Sequence, residues 1–495
     1  MLFDNLLAIA ARAPSSSGLK AGGTFYPYSK LADCAGRLAA GFAARGVGPG
    51  MAVAIVLPNG PELFAVAYAL FALGAIAVPL SVVAPVKELA GAARKAKVGL
   101  IVAHADHAVA VAHVAAELGG GPPLILSGGD FGAASLEVVA MTPAGRRTPV
   151  PAGAPALYLF SSGSTGIPKV VPHTHGEMLA NARATLAGLG YEPSDIVFNN
   201  LPGNHAMGFL NCVFEVPEAG ATTLFFHDPA PLLLSRRRLL ATLAAERVTI
   251  LPGVPFMFDA LAAATDEVDL SALRLVYSAG VSLRRPTYDA FRRRYGFDIH
   301  QAYGCTEAGH VAFNRAGDVD STWDSVGQPV GDTAVRIVAS DSPFGPDYGD
   351  IAFRSSSLTR GYLGHEALNA TAFTGGWFST GDLGRLDADG NIFIRGRSKL
   401  VIEVAGHKVD PLEIEEVLLT HAAVAEVVVI GVPSPRTGEY RLKAVVVKAD
   451  EVAPEGLIRH ARERLSPQKV PTLIEFRDAI PKSATGKVLR GKLLE

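Results

Sequence analysis

Five continuous apolar runs of strand length punctuate the first 280 residues: MAVAIVLP (51–58), VGLIVAH (98–104), ATTLFF (221–226), VTILPGV (248–254) and LRLVYSAG (273–280). A run without alternation is what a parallel strand needs when both of its faces are covered. Helical segments lie between the runs, among them Tyr28 to Ala44 with its small apolar face. The stretch from Leu63 to Val86 carries no charge and is long enough to cross a bilayer. Gly74 interrupts it and Pro79 closes AIAVP, so the pattern predicts a helix over 61–73 followed by a strand over 75–79. It has no basic flank or aromatic belt, and no membrane span is expected. Helices and parallel strands in this alternation predict a doubly wound α/β arrangement.

After about residue 320 the texture changes. AVRIVAS, DIAFRSS and GNIFIRGR are short, alternating and bounded by glycine, as in a small antiparallel β unit. The last ~95 residues mix helices (Pro411 to Thr420, Pro454 to Leu465) with the strands VAEVVVIGV and RLKAVVVKA, which predicts a small α+β domain. The charged turn RGRSK (395–399) is the expected boundary, giving domains 1–398 and 399–495.

Composition narrows the partners. The chain of 495 residues is 49% hydrophobic and 19% charged, enough to bury large cores. A formal net charge of -2 gives no global attraction for nucleic acid or an anionic membrane, so an anionic ligand must be held by local groups. The three cysteines, Cys34, Cys212 and Cys305, are widely spaced and form no CxxC, which fits reduced thiols in a cytoplasmic protein. The N-terminus lacks the basic and long apolar regions of a signal peptide, and GKLLE at the C-terminus is not a peroxisomal address.

Candidate chemistry begins at LFSSGSTGIPK (159–169), a polar, glycine-rich loop after the apolar strand ALYLF. Gly163 and Gly166 permit positive φ and close approach of backbone amides to an anion. Ser161, Ser162, Ser164 and Thr165 add hydroxyls, and Lys169 adds a charge. The loop suits a polyphosphate but lacks the ending of a Walker A loop. Composition alone does not separate it from a flexible surface loop.

Four further motifs follow in order: YGCTE (303–307), WFSTGDLG (377–384), RGRSK (395–399) and PKSATGK (481–487). With FSSGSTGIPK, the chain resembles the adenylate-forming superfamily of acyl-CoA synthetases, aryl-CoA ligases, luciferases and peptide-synthetase adenylation domains. The resemblance spans nearly the whole chain and is closest in wording to benzoate-type CoA ligases. It implies an N-terminal domain that binds acid and ATP, and a mobile C-terminal domain that carries the catalytic lysine. By that resemblance, residues 161–166 and Lys169 hold the phosphates. Tyr303 lies against adenine, Thr306 bonds the α-phosphate and Glu307 binds Mg²⁺. A carboxylate is the hard oxygen ligand that this ion prefers. Asp382 takes the ribose hydroxyls and Arg397 bridges ribose and phosphate. Lys487 stands between the carboxylate and the α-phosphate, where negative charge accumulates in the transition state. Lys399 is the hinge, and Gly406 lines a tunnel for coenzyme A, where a missing side chain leaves room. Taken alone, Glu307, Asp382, Arg397 and Lys487 read as ordinary surface or turn residues.

For the acid, LPGNHAMGF (201–209) matches the segment that carries the family's gate or pocket histidine, here His205. Met207, Ala279, Gly280, Ala302 and Gly304 are the remaining expected walls. None is charged, which predicts an aryl or other bulky uncharged acid. The aspartate with which peptide-synthetase domains hold an α-amino group is missing. Asn204, Val170 and Leu400 depart from the usual wording at the gate, after the loop lysine and after the hinge. The expected activity is ATP-dependent acid:CoA ligation through an acyl-adenylate, with ATP, Mg²⁺ and coenzyme A as cofactors. Two alternatives stay open at this stage: loading of the acid onto a separate carrier protein, and a non-catalytic nucleotide-binding relative.

Overall fold

The computed structural model describes residues 1–119, 124–127, 149–161, 168–226, 232–340, 342–404, 407–433, 440–483 and 488–494. The chain forms two compact units, residues 1–334 with 354–376, and residues 335–353 with 377–495.

The first unit opens with a short antiparallel pair, β1 (Gly18–Ala21) and β2 (Thr24–Pro27). Strands β3 (Ala52–Val56), β4 (Ile76–Pro79), β5 (Val98–His104), β6 (Leu124–Ser127), β7 (Pro155–Ser161) and β8 (Lys169–Thr174) then build a six-stranded sheet in the order β6-β5-β3-β4-β7-β8. All its neighbours are parallel except β7 and β8. Alternate residues of β3 enter different cores. Val53 and Ile55 pack with the helices Leu2–Arg12, Tyr28–Ala43 and Pro61–Ala72, whereas Ala52, Ala54 and Val56 pack with the helices Val86–Lys95 and Ala108–Glu117. Both faces are therefore covered, which is why the strand shows no polar alternation.

Every residue of the helix Pro61–Ala72 is buried. Pro61 starts it at a position that needs no N–H donor, and Gly74, at φ +66°, turns the chain into β4. The charge-free stretch is thus core as far as Leu80, and Val83 beyond it is exposed. Among the described residues no helix is long and apolar enough to cross a membrane.

The second sheet of this unit adds β9 (Ile196–Asn199), β10 (Thr222–Phe225), β11 (Ile250–Gly253), β12 (Leu275–Ser278), β13 (His300–Cys305), β14 (Gly309–Phe313) and β15 (Ser325–Pro329). Its order is β15-β14-β13-β12-β11-β9-β10-β1-β2. The stretch from β13 to β1 is parallel, and β14, β15 and β2 are antiparallel to their neighbours. Side chains again alternate between two cores, Leu251 and Val276 on one face, Ile250, Leu275 and Tyr277 on the other.

In the second unit, β16 (Ala334–Ala339) and β17 (Gly349–Arg354) come first. The chain returns to the first unit with the helix Glu366–Ala372 and the two-residue strand β18 (Phe373–Thr374). It re-enters the second unit as β19 (Trp377–Leu386) and β20 (Ile392–Arg397), giving the order β16-β17-β19-β20. The C-terminal part is α+β. It contains the pair β21 (Ile402–Val404) and β22 (His407–Val409), and a three-stranded sheet of β23 (Val424–Pro433), β24 (Tyr440–Lys448) and β25 (Leu473–Phe476). Val429, Leu442, Ala444 and Val446 of that sheet share a core with Ile414 and Leu457, from the helices Pro411–Leu419 and Pro454–Arg462.

Candidate active site

The glycine-rich segment is flanked by two described strands. β7 and β8 are antiparallel, and Ser161 and Lys169 are register partners at the end of the ladder. Ser161 is buried and Lys169 half-buried. Ser162, Gly163, Ser164, Thr165 and Gly166 lie outside the described residues. Lys169 Nζ sits 5.7 Å from the centre of the Tyr362 ring, within cation–π range.

Thr306, Glu307 and Ala308 form the tight turn between β13 and β14. Tyr303, half-buried, precedes a bulge at Gly304. A Cβ at Gly304 would lie 2.4 Å from the Gly309 carbonyl oxygen, so the missing side chain there is required by the hairpin itself. Thr306 is half-buried and Glu307 is 7% exposed. Tyr362 Oη donates a hydrogen bond to Glu307 Oε1 at 2.7 Å. Tyr362 is fixed in turn by Asn369, which accepts from its backbone N–H and donates to its carbonyl, each at 2.8 Å. The same segment reaches β8, where Leu363 N–H donates to the Val170 carbonyl.

Met207, Ala279 and Ala302 of the expected acid pocket gather on one face of the second sheet. Paired residues of an antiparallel ladder share a face, and Ala302 pairs with Phe313 and Gly304 with His310. The Tyr277 ring meets Phe313 and His310 edge-on at 5.7 and 6.3 Å, and Ala279 follows Tyr277 by one strand repeat. Met207, Ala279 and Ala302 pack in one apolar cluster with Tyr277 and Tyr191. Gly280 adopts φ +85°. His205, half-buried, precedes the short helix Ala206–Leu210.

Tyr191, Tyr277 and His310 of this face also belong to a buried polar network that no sequence motif signalled. A single π-helical turn, Asn211–Glu215, continues the pocket segment. Thr185 Oγ1 donates to Glu215 Oε1 at 3.2 Å, and Asn211 Nδ2 contacts both Glu215 Oε2 (3.4 Å) and Tyr191 Oη (3.0 Å). The Tyr191 and Tyr277 hydroxyls are 2.9 Å apart, and His310 Nε2 is 3.6 Å from Glu215 Oε2. Burial pushes Glu215 up to about 8 against the two hydrogen bonds, and pushes His310 down to about 4. Burial thus disfavours the charged form of each group. The signal available in the sequence was a lone carboxylate inside the apolar run Leu210 to Val216.

The pH dependence follows by sign. Unfolded, the Glu215 carboxyl titrates near 4.5. Between there and its folded value the native state holds a proton that the unfolded chain releases. Its contribution is full below that range and lost as pH rises through about 8. Glu215→Gln mimics the protonated acid without titrating. The melting temperature of this variant relative to the parent is expected to rise with pH across that range. Melts in a pH series check this; a constant difference contradicts it.

In the second unit, Asp382 and Arg397 are register partners across β19 and β20. Arg397 Nε donates to Asp382 Oδ1 at 2.6 Å, and the Asp382 N–H donates to Thr380 Oγ1 at 3.0 Å. Gly381, at φ +72°, makes the turn just before the aspartate, and Ser398 Oγ donates to its carbonyl at 3.1 Å. Asp382 is 5% exposed, a carboxylate held in place rather than a mobile turn residue. Lys399 lies in the 3₁₀ turn Ser398–Leu400. Gly406 and Lys487 lie outside the described residues.

Comparison with known proteins decides what this constellation belongs to. The AMP-binding enzyme family matches residues 8–363, and the AMP-binding enzyme C-terminal domain matches residues 413–487. The chain belongs to the AMP-binding enzyme family. A feruloyl-CoA synthase from an Amycolatopsis species is 32% identical over 98% of this chain and 96% of its own length. A sulfoacetate–CoA ligase from Cupriavidus necator is 29% identical over 100% of this chain and 98% of its own. The crystal structure of the anthranilate CoA ligase AuaEII with anthranoyl-AMP superposes with a TM-score of 0.86 at 26% identity, covering 99% of this chain and 96% of that one. The protein is an ATP-dependent acid:CoA ligase that acts through an acyl-adenylate.

Within this AMP-binding enzyme, Glu307 is a carboxylate, the ligand type that Mg²⁺ takes at nucleotide sites. Mg²⁺ at nucleotide sites takes one or two carboxylates and completes its octahedron with phosphate oxygens and water. Tyr362 engages one carboxylate oxygen of Glu307. Among the described residues no cluster of three or more His, Cys, Asp or Glu side chains offers an all-protein cage.

Proposed function

We propose that this ligase acts on an aryl or other bulky, uncharged acid. The observation that carries this reading is the face described above, where Met207, Ala279 and Ala302 share an apolar cluster and burial disfavours the charged forms of the nearby Glu215 and His310. The names of the feruloyl and anthranilate relatives support it. The sulfoacetate relative is named for an acid with a second anionic group. No lysine or arginine stands among the expected pocket residues here to hold such a charge.

The chemistry has two steps. A carboxylate oxygen of the acid attacks the α-phosphorus of ATP, forming the acyl-adenylate and releasing pyrophosphate. The coenzyme A thiol then attacks the acyl carbon, and AMP leaves. Residues 161–166 and Lys169 cradle the phosphates, and Tyr303 lies against adenine. Thr306 donates to an α-phosphate oxygen. Asp382 accepts from the ribose hydroxyls, with Arg397 beside it. Lys487 offsets the repulsion between carboxylate and α-phosphate, and His205 gates the acid. Mg²⁺ held at Glu307 would neutralise phosphate charge. Lys399 is the pivot between a domain of residues 1–398 and a mobile domain of residues 399–495, and Gly406 gives room for pantetheine. The three cysteines, none in a disulfide, support a reducing, cytoplasmic setting.

A mixed acid library supplied with ATP and coenzyme A tests the acid class. Thioesters of aryl or bulky neutral acids are expected; turnover confined to short or multiply charged acids would overturn it. Asp382→Ala tests the nucleotide assignment. It is expected to weaken ATP binding by roughly 3 kcal/mol, two charge-assisted bonds, while acid binding changes far less. Calorimetric titration of both ligands checks this, and equal weakening contradicts a ribose contact.

A further inference from the structure

We propose that His173 and Asn181 are positioning residues for adenylation, gripping the turn that presents Thr306 and Glu307. The inference rests on the roles given to those two residues above. Three consecutive carbonyl oxygens of the turn are each taken by a donor from outside the hairpin. His173 Nε2 donates to the Thr306 carbonyl at 2.8 Å, the Thr359 backbone N–H donates to the Glu307 carbonyl at 2.8 Å, and Asn181 Nδ2 donates to the Ala308 carbonyl at 3.0 Å. A hairpin turn ordinarily leaves such carbonyls to water. Here the backbone on both sides of Glu307 is fixed, and Tyr362 fixes its carboxylate.

The two side chains are fully buried, so a polar group at either site needs a bonding reason to be there. His173 lies on β8, two residues after the apolar Val171 on the same strand face. Because its partner is a carbonyl, Nε2 carries the proton. Nδ1 has no hydrogen-bond partner and faces Glu177 Oε2 at 4.0 Å. Asn181 makes a second demand on the hairpin. A Cβ at Gly309 would lie 2.1 Å from Asn181 Nδ2, and Gly309 has φ +76°, so the backbone passes against the amide at a distance only glycine allows.

Chain order explains the arrangement. β8 leaves the glycine-rich loop at Lys169 and runs into the helix His175–Leu189, whose capping box is made by Thr174 and Glu177. His173 and Asn181 therefore tie the exit of the phosphate loop to the Thr306–Ala308 turn as one piece. Groups that must meet the same triphosphate are thereby held at fixed spacing, and misplacement by 1 Å costs about 10²-fold in rate.

The test is a set of variants assayed in both half-reactions. His173→Ala and Asn181→Ala are expected to lower ATP–pyrophosphate exchange by about 10²-fold, and to change thioester formation from supplied acyl-adenylate far less. His173→Gln, whose amide can still donate to a carbonyl, is expected to recover most of the exchange rate. Asn181→Leu, similar in size but with no donor, is expected to recover none. Near-parental exchange in folded His173→Ala and Asn181→Ala would overturn the proposal. So would an equal fall in both half-reactions with no rescue by His173→Gln, the mark of packing alone. No exchange by the parent protein with any acid would refute the assigned adenylation, and the inference with it.

Discussion

Lys487→Ala is expected to remove adenylation while leaving the fold intact. Carboxylate and α-phosphate repel each other, and the pentavalent transition state concentrates more negative charge between them. A cation placed there is worth more in the transition state than in the ground state, so its loss appears in kcat. Removing one preorganised group of this kind costs about 10²–10³ in rate, or about 2.7–4 kcal/mol. Thioester formation from a supplied acyl-adenylate is expected to survive, because no bond to the α-phosphorus forms in that step. Pyrophosphate exchange and thioester release, measured on the same preparation, check the split. Near-native exchange would contradict the role given to Lys487.

Lys399→Pro is expected to separate the half-reactions in the opposite sense. Residue 399 lies in a 3₁₀ turn, where φ is near the value of about -65° that proline imposes. Proline can therefore occupy the turn but resists the change in φ that a pivot requires. Acyl-adenylate formation is expected to persist and transfer to coenzyme A to stop. Lys399→Ala, which keeps the backbone free, is expected to be mild. Proline also removes an N–H donor, so melting curves must first show that the variant is folded. If both rates fall together, or neither falls, the pivot is elsewhere.

The architecture was legible where local pattern and burial coincide. β5 spans 98–104, the bounds of its apolar run, because a strand covered on both faces has nothing polar inside it. Leu63 to Val86 divided into helix and strand because Gly74 and Pro79 constrain the backbone whatever the solvent. What escaped were contacts between residues far apart in sequence. His173 meets Thr306 across 133 residues and Asn181 meets Ala308 across 127. Neither has a signature of its own, since a buried histidine and a surface one are the same letter. Tyr362 reaches Glu307 only because residues 354–376 return to the first unit, and a change of texture along the chain does not reveal such a return. Asp382 shows the reverse. Its motif was plain, but the pairing that aligns it with Arg397 is set by the register of β19 and β20. The motifs pointed to candidate residues, and the contacts that hold Thr306, Glu307 and Asp382 in place are visible only in the tertiary structure.

The most direct test of the central claim follows an oxygen atom. An acid accepted by the enzyme, labelled with ¹⁸O in its carboxylate, is converted with ATP and coenzyme A, and the phosphorus products are weighed by mass spectrometry. Attack of the carboxylate on the α-phosphorus predicts AMP carrying one labelled oxygen, with unlabelled pyrophosphate. Formation of ADP with the label in inorganic phosphate, or of unlabelled AMP, would contradict an acyl-adenylate.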